Sequence, residues 1–186
     1  MIFKFLNRNK KFLKRVVILG SGGIISTNLQ KILKKKSVNF ISIGRSKLDL
    51  KSVEASQKLR KKIKKKDIVV FIAAEAPVKN TKMFINNIKI CETVCSSLEK
   101  KKIEQLIYIS SDAVYADIKG KISEKTVTSP NSLHGLMHIT RELMLKNKFE
   151  ELLCILRPTL IYGPGDTHDG YGPNRFVGLA VKNKTL

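Results

Sequence analysis

Short apolar runs alternate along the chain with longer segments whose apolar residues recur at helical spacing. "RVVIL" (15–19) reads as a buried strand, and "IISTNLQKILKKK" carries apolar side chains at 24, 25, 29, 32 and 33, the face of a helix. "VNFISIG" (38–44) is a second strand, "KLDL" (47–50) a short third, and "SVEASQKLRKKIKKK" (52–66) a helix with Ser52 as N-cap. "DIVVFIAA" (67–74), "EQLIYIS" (104–110) and "LLCILRP" (152–158) are further strands, separated by helices over 80–100 and 130–149. Strands that alternate with helices predict an α/β fold with a doubly wound parallel sheet and helices on both faces.

Charge then adds a direction to this layout. The net charge is +21, and arginine supplies seven of the 36 basic residues, so lysine dominates. Surfaces that read bases favour arginine's fork and interleaved aromatics, so no nucleic-acid partner is expected. Three "KKK" runs (34–36, 64–66, 100–102) fall where a helix ends and a strand begins, which places them on the edge opposite a crevice at the strand C-termini. That basic rim is a candidate for contact with a membrane surface or an acidic partner. Residues 1–14 form a basic extension, and 15–186 form one domain. Three cysteines (Cys91, Cys95, Cys154) do not make a disulfide framework, so a cytoplasmic setting is expected. Cys91 and Cys95 are expected to be packing thiols.

"GSGGIIS" sits between the first strand and its helix. Gly20, Ser21, Gly22, Gly23 and Ile24 form the kind of turn that lets backbone approach a pyrophosphate at a helix N-terminus, with Ser26 where a third glycine is usual. No Asp or Glu occurs between Ser21 and Leu48, and the second strand ends at Arg45. An arginine there suits the 2′-phosphate of NADP, and NAD is the alternative.

Taken together, these stretches resemble the extended short-chain dehydrogenase/reductase family, the NAD(P)-dependent sugar epimerases and dehydratases, over residues 15–182. "KLDL" is similar to that family's adenine-contacting pair (Asp49, Leu50). "DIVVFIAA" resembles the strand whose Ala73 and Ala74 line the cofactor. "INNIK" supplies Asn87, "LIYISSDAVYAD" resembles S-S-x-x-V-Y-G, and "LRPTLIYGPGD" resembles R-P-x-x-V-Y-G-P-G-D. The resemblance implies a Rossmann-type fold and a nucleotide-sugar substrate. It makes Ser111 the catalytic hydroxyl, brings Pro158 and Thr159 to the nicotinamide, and gives Asp112, Asn87 and Asn174 to the substrate.

The family's P-x-S-x-Y-G-x-x-K-x-x-x-E reads here P-N-S-L-H-G-L-M-H-I-T-R-E over residues 130–142, with His134 in place of the tyrosine and His138 in place of the lysine. Two histidines four apart also invite a metal, but no H-E-x-x-H glutamate is present and His168 lies in a loop of its own, so none is expected. An active variant is consistent: imidazole titrates near 6.5 and needs no cation to bring it to neutrality, whereas a phenol near 10 does. In that reading His134 relays a proton and His138 bonds the nicotinamide ribose. The alternative is a non-catalytic dinucleotide-binding module. The family continues into a C-terminal substrate lobe beyond residue 186, so either this chain is a fragment or another chain, as in a homodimer, completes the pocket.

Overall fold

The computed structural model describes residues 15–117, 120–165 and 172–181. The basic extension (1–14) and His168 therefore lie outside the described residues. Five strands, β1 (Arg15–Leu19), β2 (Phe40–Ile43), β3 (Asp67–Phe71), β4 (Gln105–Ile109) and β5 (Leu153–Leu156), form one parallel sheet in the order β2-β1-β3-β4-β5. The crossover helices are α1 (Ile24–Lys35), α2 (Ala55–Lys62), α3 (Thr81–Leu98) and α4 (Leu133–Phe149), followed by α5 (Gly172–Val181).

Strand register turns the apolar runs into two rows across one face. Ile41, Val17, Val69, Leu106 and Leu153 stand side by side, as do Ile43, Leu19, Phe71, Tyr108 and Ile155. Both rows are covered by Ala55 and Leu59 of α2, Ile90, Cys91, Val94, Cys95 and Leu98 of α3, and Leu145 and Phe149 of α4. The two cysteines thus sit in the core, as expected. On the opposite face Val16, Ile18 and Val70 pack against Leu33 of α1. The doubly wound arrangement is therefore present, with three helices on one face and α1 on the other. Burying side chains of this size contributes about 1.5–3 kcal/mol each.

Two expectations of local structure are corrected. "KLDL" is a pair of turns, not a strand. Lys47 and Leu48 both donate backbone N–H to Gly44 O, and Asp49 Oδ1 accepts the Lys51 N–H at 3.0 Å. An aspartate that bonds its own backbone two residues on favours a turn over a ladder. Ser52 does not cap α2: its hydroxyl donates to Asp49 O, its carbonyl accepts the Ala55 N–H, and the helix starts at Ala55.

Two of the three lysine runs meet. Lys34–Lys36 closes α1, the other two runs follow α2 and α3 and precede the next strand, and Lys66 N–H donates to Lys102 O at 2.8 Å. The rim so formed is the edge at which the strands begin.

Candidate active site

The strand C-termini open onto a cavity of about 710 Å³. Its wall runs from the Gly20–Gly23 turn past Arg45, Asp49, Leu50, Ala73 and Ala74 to Ser111, His134, His138 and Pro158. Gly20 has φ +104°, and a Cβ there would stand 2.8 Å from Ala73 N, so only glycine lets β1 turn beside β3. Gly22 and Gly23 have open space where a Cβ would be. Gly23 caps α1 without a side-chain bond, and no acidic residue occupies the first turn. The free N–H groups and the positive end of the helix therefore face the cavity. Ser26, at the third small-residue position, is fully buried and accepts from Gln30.

At the far end, Ser132 accepts the Gly135 N–H at 3.1 Å and so starts α4. Gly135 packs directly on the turn after β4, because a Cβ there would lie 1.9 Å from Ala113 O. His134, one residue before Gly135, and Ser111, two residues before Ala113, line the same cavity. The Ser111 hydroxyl accepts the Ala113 N–H and donates to Asp112 Oδ1, both at 3.1 Å. His134 Nδ1 accepts the Val78 N–H at 3.4 Å. The two imidazoles meet edge to face, 4.8 Å between centroids, and His138 Nδ1 shares a 2.8 Å hydrogen bond with the Tyr108 hydroxyl.

Burial pushes both histidines below their ordinary range. Asp112 opposes this at His134 and Arg141 adds to it. For His138, burial first, then His134 and Arg141, bring the value to about 3 from an ordinary 6.5. The folded value lies below the unfolded one, so His138 leaves stability unchanged above about pH 6.5 and removes it as pH falls from there towards 3. The slope is about 1.4 kcal/mol per pH unit. Urea melts at pH 7 and pH 5 are expected to differ by about 2 kcal/mol, and His138→Gln to remove most of that difference. Superimposable wild-type melts would contradict the assignment.

Two buried networks that the sequence reading missed support these groups. Arg141 is 1% exposed and donates to the carbonyls of Asn87 and Ala73 and to Asn87 Oδ1. Glu142 is fully buried, takes Ser110 Oγ at 2.6 Å and Arg157 through both oxygens at 2.9 and 2.6 Å. Helical spacing was the available signal, since residues 134, 138, 141 and 145 share one face of α4.

Most of the expected cofactor-side residues line the cavity: Gly20, Ser21, Gly22, Gly23, Ile24, Arg45, Asp49, Leu50, Ala73, Ala74, His138 and Pro158, with Ser111 and His134 beside them. Thr159, Asp112 and Asn174 are not in its wall, and Asn174 donates to Gly163 O from α5. Asn87 is a correction. It is fully buried, its amide donates to the carbonyls of Glu75 and Met83, and its oxygen accepts from Glu75 N–H and Arg141. With every bonding direction filled, it braces the Ala73–Glu75 wall and has none left for a substrate. Among the described residues no third metal ligand joins the histidines.

A UDP-glucose epimerase of Bacillus subtilis (strain 168), itself uncharacterised, is 25% identical over 186 residues, spanning 83% of this chain and 59% of that one. The dTDP-D-glucose 4,6-dehydratase of Dictyostelium discoideum is 24% identical and aligns 96% of this chain with 50% of its own. The chain thus spans about half to three-fifths of the length of these curated relatives. UDP-glucuronic acid 4-epimerase from Bacillus cereus, solved in complex with UDP-glucuronic acid and NAD, shares the fold with a TM-score of 0.77 at 20% identity, over 92% of this chain and 64% of that one. The profile of the NAD dependent epimerase/dehydratase family matches residues 16–185, and this chain belongs to that family.

Proposed function

We propose that this chain is the dinucleotide-binding part of an enzyme that epimerises, dehydrates or reduces a nucleotide-linked sugar. The observation that carries this reading is the single cavity that joins the glycine turn at the N-terminus of α1 to Ser111 and His134. The turn fits a pyrophosphate: Gly22 and Gly23 leave room for backbone approach, and the helix end offers unpaired N–H donors. Ala73, Ala74 and Pro158 form the wall between the turn and the histidines, the length along which a dinucleotide would lie.

When bound, the nicotinamide supplies the hydride acceptor or donor. Ser111 and His134 then hold the reacting sugar oxygen by hydrogen bonds, and His138 bonds the cofactor ribose. For the adenosine end, Arg45 favours NADP over the NAD held by the solved relatives. It is exposed at the cavity mouth, paired loosely with Asp49 at 3.6 Å, and no carboxylate precedes Leu48 after the glycine turn.

Thermal-shift titration decides both points. NADPH is expected to bind about tenfold more tightly than NADH, a difference of about 1.4 kcal/mol, and Arg45→Ala to erase it. Equal affinities would remove the NADP preference, and binding of neither would end the functional reading. A second reading, a non-catalytic dinucleotide-binding module, is favoured by one observation: His138 is neutral, so the pair lacks the fixed cation that the lysine would supply. Activity gained by His134→Tyr with His138→Lys in an inactive wild type would select it.

A further inference from the structure

Tyr108 stands in the second apolar row of the sheet, between Phe71 and Ile155, yet its hydroxyl reaches α4. It is fully buried. Its phenol oxygen has one hydrogen-bonding partner among the described residues, His138 Nδ1. The phenol stays protonated, because burial raises its pKa further than Arg141 lowers it. Its proton has one acceptor in reach, His138 Nδ1. The opposite arrangement, with His138 donating from Nδ1, would leave the buried Tyr108 O–H without an acceptor.

We propose that Tyr108 is a positioning residue that holds His138 as the neutral Nε2–H tautomer, so that the ring presents a hydrogen-bond donor to the cavity. The Val78 N–H does the same for His134, whose Nδ1 also accepts. The pair is then two neutral N–H donors side by side, both in the cavity wall. Such a pair suits uncharged oxygens, a sugar carbonyl or a ribose hydroxyl, better than a phosphate or carboxylate. It polarises an oxygen by donation, as a neutral imidazole can, and holds no resting acceptor at Nε2. Tyr108 owes its place to β4: Leu106, Tyr108 and Ser110 alternate onto the face that α4 covers. This assignment deepens the functional reading and rests on it only for the identity of the oxygens bound.

Long-range ¹H–¹⁵N spectra of the ¹⁵N-labelled protein at neutral pH read the tautomer directly. His138 is expected with its proton on Nε2 and a bare Nδ1, and Tyr108→Phe to convert it to a mixture of both tautomers. A wild-type His138 protonated at Nδ1, or a tautomer unmoved by Tyr108→Phe, overturns the proposal. Should the variant not fold, the wild-type spectrum alone decides. In NADPH titrations, Tyr108→Phe is expected to weaken binding about three- to tenfold, and an unchanged affinity counts against the donor role. If the wild type shows the Nε2–H tautomer and binds neither NADPH nor NADH, the functional reading fails while the tautomer assignment stands.

Discussion

Arg157→Leu is expected to cost about 3–5 kcal/mol of folding stability, the range found when one partner of a buried ion pair is removed. Glu142 is fully buried, and the Arg157 side chain is 18% exposed, so water does little to screen the pair. The guanidinium meets both carboxylate oxygens and also donates to the Tyr115 hydroxyl at 2.6 Å, over whose ring it lies at 5.0 Å. Loss of Arg157 leaves the carboxylate with Ser110 as its remaining partner. The cost comes from that stranded charge more than from the attraction lost. Accordingly, the double variant Arg157→Leu with Glu142→Leu is expected to recover a large part of it, and a double-mutant cycle in urea would give a coupling of about 2 kcal/mol or more. A single-variant loss below about 1 kcal/mol would show that solvent already reaches the pair. Because Arg157 precedes Pro158 in the cavity wall, dinucleotide binding should fall with stability.

That pair also marks where sequence reasoning stops. The strand–helix alternation, the glycine turn and the register of the histidines with the family's motif were all visible, because each depends on neighbours within a few residues of the chain. Arg157 and Glu142 are fifteen residues apart and join β5 to α4, and Arg141 reaches Ala73 across 68 residues. No local pattern announces such partners. Asn87 shows the same limit in reverse. Its position in α3 was read correctly, but its four bonds with α3, α4 and the loop after β3 turn an expected substrate ligand into a brace. "KLDL" failed for a different reason. Its alternation suited a strand, and the Asp49 side chain captured the backbone into turns instead. On the cavity side the sequence did better, since residues that line a strand's C-terminal end are fixed by the strand itself.

Gly135→Ala tests whether the site depends on close approach of α4 to the serine turn. In an ordinary helix interior the change would stabilise by up to about 1 kcal/mol, since alanine is the better helix former. Here the added Cβ would stand 1.9 Å from Ala113 O and 2.8 Å from the Pro130 ring. The nearer obstacle is backbone, which cannot rotate aside, so the helix or the Ser111–Val114 turn must move. Overpacking of this kind costs about 1–3 kcal/mol or more, enough to reverse the propensity gain. A net loss of about 2 kcal/mol is expected in urea melts. The displacement falls between Ser111 and His134, so dinucleotide binding and any turnover should suffer beyond the loss of stability. Gly22→Ala is the contrasting case. Its Cβ meets nothing within 4 Å, so stability should change by less than about 1 kcal/mol. The methyl would instead enter the space where backbone approaches the pyrophosphate, and NADPH affinity should drop at least tenfold. If Gly135→Ala proved as stable as wild type with unaltered binding, α4 would not be held against the turn as the structure has it.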